Sequence, residues 1–200
     1  MIALVRSELY RMATIRSSWV SIVLFGAVAA SFGVLNPYWW ALFVGVGAFG
    51  ISVFTVAQHY RHRTAALLYL ARPRRIQVLI AQVVTTVAVA WGFAALTGIT
   101  VLLKGEDLPY RRTLIVVPIM AVFGAAMAAI VRRSSWLLYG FAVWFILVEG
   151  LIGHMRWPLP ISSYLEAAEG DGFGLEVFLG WAVVALAVAT LTLSRDLTAD

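Results

Sequence analysis

Six long stretches of the chain carry no charge, or a single one, and charged or turn-forming residues separate them. Ser17–Leu35 is uncharged and stops at Asn36-Pro37, a pair that a helix does not easily cross. Tyr38–Gln58 stops at His59. Ile76–Leu103 is longer than one crossing requires, which predicts tilting or extension past the bilayer. Thr113–Val131 is ended by Arg132-Arg133 and contains Pro118, where a kink is expected. Ser134–Gly153 has one charge, Glu149, and Val177–Ser194 is closed by Arg195-Asp196. A hydrocarbon core of roughly 30 Å needs about 20 mostly apolar residues of helix. Open sheets leave their backbone unsatisfied in lipid, so these stretches are expected to be helices. The pattern predicts an all-α integral membrane protein with six crossings in one domain over 1–200.

Composition sharpens this picture. Of the 200 residues, 62% are apolar and 12% charged, against about 25% charged in soluble domains. An ordinary soluble domain, a disordered tail and a nucleic-acid binder held by a basic surface are all excluded. Six crossings put both termini on one side. With the N-terminus inside, eleven arginines (Arg6, Arg11 and Arg16; Arg61, Arg63, Arg72, Arg74 and Arg75; Arg132, Arg133 and Arg195) are cytoplasmic, against four cations outside. That asymmetry predicts both termini in the cytoplasm. A basic leader followed by Ala27-Val28-Ala29 also resembles a cleaved signal peptide, but the apolar run continues to Leu35 and Glu8 is unusual in a leader.

The segments between the crossings carry their own signals. Residues 1–16 place Ile2, Val5, Leu9 and Met12 on one side at helical spacing, which predicts an interfacial helix, with a merely solvated basic leader as the alternative. In the loop 59–75, a helix of about two turns fits between Thr64 and Ala71, with Thr64 as its cap and Pro73 as its stop. Its apolar residues Leu67, Leu68 and Leu70 sit among arginines, Arg61 and Arg74 included. Either a partner protein covers them or the helix rests on the membrane. Beyond the fifth crossing, Ser163 with Glu166 three later reads as a capping box, and Gly170 as the close of a short helix over the outer face.

Little sequence chemistry is available. Zero cysteines remove disulfides and thiolate sites, and the only lysine, Lys104, belongs to no phosphate-binding loop. His59 and His62 share a helical spacing without a nearby acid, and Ser21 with His59 lacks any nucleophile motif. No metal or cofactor site is expected. Glu149 is the only acid inside a crossing, near its outer end; it reads as a gate or substrate-path residue, or as a carboxylate that reaches water or pairs with Arg156. Trp39-Trp40, Trp136 and Trp157 are expected in an interfacial belt. Gly45, Gly47, Gly50 and the Gly124/Ala128 pair are expected at close helix approaches.

Several of these segments resemble the type-2 ABC permeases, the six-helix membrane subunits of ATP-driven exporters, and most closely the actinobacterial drug-exporter branch. The resemblance is carried by Leu4-Val5-Arg6-Ser7-Glu8-Leu9, Tyr60-Arg61-His62-Arg63-Thr64, Leu67-Leu68, Pro73-Arg74-Arg75, Val148-Glu149 and Leu159-Pro160. His59 and Arg63 stand where such permeases commonly have glutamate and glycine, a departure that suits the degenerate half of a heterodimer. The resemblance implies a bacterial inner-membrane permease that exports a drug, peptide or lipid without catalysis of its own. It also implies a second permease subunit, as homodimer or heterodimer, and two cytoplasmic ATPase subunits carrying ATP and Mg. The short helix in 59–75 would then couple the two. Arginine outnumbers lysine fourteen to one, which suggests a GC-rich bacterial source. The rival class is an integral-membrane enzyme or a non-transporting assembly factor.

Overall fold

The computed structural model describes residues 5–7, 9–10, 16–61 and 75–195. Among them there is helix and turn, and no strand. The helices are α1 (Arg16–Leu35), α2 (Pro37–Arg61), α3 (Arg75–Thr97), the single turn α4 (Ile99–Leu102), α5 (Asp107–Val131), α6 (Ser134–Val143), α7 (Pro160–Glu169) and α8 (Gly172–Arg195). A π-helical segment, Trp144–Ile152, continues α6 directly. Five stretches are long and apolar enough to cross a membrane: Pro37–Ala57, Gln77–Leu102, Asp107–Val131, Ser134–Ile152 and Gly172–Leu193. The apolar stretch Ile22–Leu35 in α1 is shorter. Residues 5–7 and 9–10 are helical, with Leu9 and Tyr10 exposed.

Each connection has a local cause. At the α1–α2 junction, the Tyr38 amide donates to Asn36 Oδ1 at 2.8 Å, so Asn36 caps α2 with Pro37 in its first turn. The long third stretch is interrupted at Gly98. A Cβ there would lie 2.5 Å from both the Trp40 and the Tyr110 ring, so only glycine admits these two stacked aromatics. The Arg132-Arg133 turn joins α5 to α6. Arg132 takes the left-handed conformation (φ 58°) and its amide donates to the Ala128 carbonyl. Gly170 (φ +98°) closes α7: its amide reaches the Ala167 carbonyl and the Asp171 amide reaches Glu166, the paired bonds of a Schellman ending. Asp171 then caps α8 by accepting from the Gly174 amide at 2.8 Å.

Pro118 deprives Leu114 of its helical donor, and the carbonyl finds one across the bundle. Trp91 Nε1 donates to it at 3.2 Å. The core is centred on α2 and α5. Within the most apolar 18 residues of each crossing stretch, 78% are buried in α2 and 11% in Ser134–Ile152. Gly47 admits the Phe93 ring and Gly124 admits Phe49, the close approaches expected of small residues in membrane helices. Gly50 has nothing near enough to require it. Trp40 departs from the expected belt: it is fully buried, stacked on Tyr110 and donating to Thr97 Oγ1 at 3.3 Å. Trp39, Trp136 and Trp157 are exposed.

Candidate functional site: a carboxylate clamp at the Gly170 end

Helix α7 does not run the length of the bundle. It lies at the end that carries Asn36, Lys104 and Gly170, packed on α2, α5 and α8. Eight of its ten residues are buried, from Pro160 to Leu165 and again at Ala167 and Ala168. Gly45 on α2 makes this seat possible, since a Cβ there would meet the Tyr164 ring at 2.5 Å. Tyr164 in turn donates to the Ala41 carbonyl at 2.9 Å, and its burial holds the phenol far above its usual ionisation range.

The first helical residue of α7 is Pro160, which has no N–H to satisfy. The next two amides need acceptors, and the residue preceding the helix, Leu159, has no side chain that can supply one. Glu149, from the π segment, does so. Its Oε1 accepts from the Ile161 amide at 3.2 Å and its Oε2 from the Ser162 amide at 2.7 Å. Ser162 Oγ donates to Oε2 at 2.8 Å and Trp144 Nε1 to Oε1 at 3.0 Å. The side chain is fully buried and accepts four hydrogen bonds, two on each oxygen. A buried charge is tolerated when its lone pairs are filled and a helix N-terminus faces it, and both conditions are met here. Arg156, the partner considered from sequence, is exposed and is not among these four donors.

The π register makes the clamp. Residues five apart on an α-helix lie about 140° apart around the axis, at roughly 3.6 residues per turn. A π segment bonds i to i+5 and stacks them instead. Trp144 and Glu149 are so spaced, and this brings the indole onto the carboxylate. The segment ends in a tight turn. His154 and Met155 have φ of 49° and 56°, and the Met155 amide donates to the Glu149 carbonyl at 2.8 Å. Two consecutive non-glycine residues in that conformation are strained and persist where neighbours fix them. Met155 Sδ lies 4.0 Å from Ser162 Oγ, so the turn packs against the capped helix.

The expected capping box requires correction. Ser163 is not the cap of the short helix. The helix starts at Pro160, and Ser163 is its fourth residue, fully buried with its hydroxyl unpartnered. Glu166, the other half of that pattern, lies on the last turn beside Glu169 and Asp171. Burial, and then these two charges, hold its carboxyl above the usual range. The Leu159-Pro160 pair was the better signal, because proline favours the first helical position. Nothing in the residue types marks Trp144 as a partner of Glu149, since the spacing is meaningless for an α-helix.

Of the proposed coupling residues, Thr64, Leu67, Leu68, Leu70, Pro73 and Arg74 lie outside the described residues, as does His62. Arg61 is the last residue of α2. No group of three or more His, Cys, Asp or Glu able to hold a metal occurs among the described residues.

Fold and site together define an all-helical, multi-pass membrane architecture whose buried carboxylate clamps a short helix across one end of the bundle. No family model matches the chain, and neither does any curated protein.

Proposed function

We propose that this chain is the membrane-spanning permease subunit of an ATP-driven ABC exporter. It moves an amphipathic or hydrophobic substrate, a drug, peptide or lipid, outward with energy from ATP hydrolysed on a separate cytoplasmic subunit. In this reading α1 is the first of six crossings of a bacterial inner membrane, and both termini are cytoplasmic. The Gly170 end then faces outward. A second permease subunit encloses the path with this one, and two ATPase subunits dock under the loop 59–75.

The observation that carries this reading is the Glu149 clamp. An export path needs an outward barrier that opens without unfolding the bundle. Helix α7 is such a barrier, a buried lid tied to the fifth crossing by three hydrogen bonds to one side chain, which Trp144 of the same crossing steadies with a fourth. The π segment and its strained turn supply the second link, a backbone held out of its relaxed form by its neighbours. Closure of the ATPase pair would tilt the crossings and move the π segment relative to α7, opening the outer mouth.

The test uses the cysteine-free background. Cysteines placed together at Met155 and Ser162, whose side chains touch, tether the turn to α7 on oxidation. In inside-out vesicles with the partner ATPase, ATP-dependent accumulation of ethidium should stop on oxidation and return on reduction. Accumulation unaffected by a completed crosslink would make α7 a fixed cap, the reading that suits a membrane enzyme or an assembly factor.

A further inference from the structure

A cavity of about 210 Å³ lies at the Gly170 end, apart from the Glu149 clamp, between the starts of α2 and α5 and the last turn of α7. Ala41, Leu165 and Ala168 give it apolar walls, and Arg112, Thr113 and Glu169 give it polar ones. Thr113 is 1% exposed, and its hydroxyl is buried without a hydrogen-bond partner. Other buried threonines of the bundle satisfy theirs one turn back, Thr85 on the Ala81 carbonyl and Thr97 on that of Phe93. A hydroxyl left unpaired in a buried wall costs free energy that a ligand oxygen would recover.

The charges are arranged for a ligand with two ends. Arg112 packs against Gly170, where any Cβ would collide with the guanidinium, and donates one N–H to the Glu169 carbonyl. A guanidinium carries five donors, so this anchor fixes its position and leaves others for an anion. The Glu169 carboxylate stands exposed on the same rim. An anion alone would meet the carboxylate, and a cation alone would meet the guanidinium; a zwitterion satisfies both. The cavity sits where the crossing stretches starting at Pro37 and Asp107 begin, which is headgroup depth for a bilayer around these helices.

We propose that this cavity binds a phosphoethanolamine-type zwitterion, its phosphate on Arg112 and the Thr113 hydroxyl and its ammonium on Glu169. The group can be carried by a phospholipid of the adjoining leaflet or arrive free from water. The site is independent of the transport reading.

The full chain, purified in detergent, is titrated with phosphatidylethanolamine, with phosphatidylglycerol and with free phosphoethanolamine, following the melting midpoint and the lipid retained in native mass spectra. Phosphatidylethanolamine should raise the midpoint and be retained, and phosphatidylglycerol should do neither. Glu169→Gln should weaken the phosphatidylethanolamine effect about tenfold, one lost charge contact. Thr113→Val keeps the shape and removes the orphaned hydroxyl. It should raise the midpoint without lipid while weakening the response to lipid. Protection by free phosphoethanolamine at matching concentration assigns the site to a soluble zwitterion; protection by the lipid alone assigns it to the leaflet. Equal stabilisation by the two lipids, or an unchanged response in both variants, overturns the proposal.

Discussion

At the scale of single residues, Glu149 has four donors and no spare lone pair in the geometry described. Glutamine is therefore no neutral replacement. Whichever way its amide turns, an NH₂ group faces two of those donors, and only the Ser162 hydroxyl can rotate to accept from it. Glu149→Gln should cost about 1–3 kcal/mol and Glu149→Ala about 3 kcal/mol or more, because alanine leaves the Ile161 and Ser162 amides buried and unpaired. Trp144→Phe removes one donor and should cost about 1 kcal/mol. Thermal unfolding of the three variants in detergent checks this ordering. Equal midpoints for Glu149→Ala and the unmodified chain would mean that water reaches the site. Charge alone singled out Glu149 in the sequence, as the one acid in an apolar stretch. Its partners were hidden, because they are two backbone amides, a hydroxyl and an indole whose alignment depends on a π register that no residue type announces.

At the scale of elements, the turns were legible and the distant partners were not. Asn36-Pro37, Arg132-Arg133 and Gly170 each break the chain where local chemistry demands it. Gly98 lay within a stretch readable as one long helix, since its role depends on Trp40 and Tyr110 arriving from other helices. Pro118 was legible as a disturbance, but its remedy was not. Trp91 lies on α3, 23 residues before Leu114, and its indole takes the Leu114 carbonyl that the proline leaves bare. Coupling between the two should follow. Trp91→Phe alone should cost about 1–3 kcal/mol by orphaning the Leu114 carbonyl. Pro118→Ala restores the helical donor, so Trp91→Phe in that background should cost markedly less. A double-mutant cycle on unfolding midpoints measures the difference; strict additivity would show that Trp91 contributes packing alone.

At the scale of the whole molecule, the long apolar helices set the bundle and the polar connections set its two ends. One end collects the close of α2 at Arg61, the start of α3 at Arg75 and the Arg132-Arg133 turn, and the other collects α7, the Glu149 clamp and the cavity beside Arg112. The proposed exporter assigns these ends different tasks, docking of an ATPase at the first and release of substrate at the second. The docking half rests on Leu67 and Leu68, apolar residues among arginines in a segment outside the described residues. Burying aspartates in an apolar interface is strongly unfavourable, so Leu67→Asp with Leu68→Asp should abolish docking and spare insertion. The most direct test is affinity purification of the tagged chain from native membranes in mild detergent, probed for an ABC-type ATPase. The permease reading predicts that such an ATPase accompanies the unmodified chain and is lost from the double variant, while both chains reach the membrane in equal amounts. An unmodified chain that brings down no such ATPase, or a double variant that holds it undiminished, would contradict the reading.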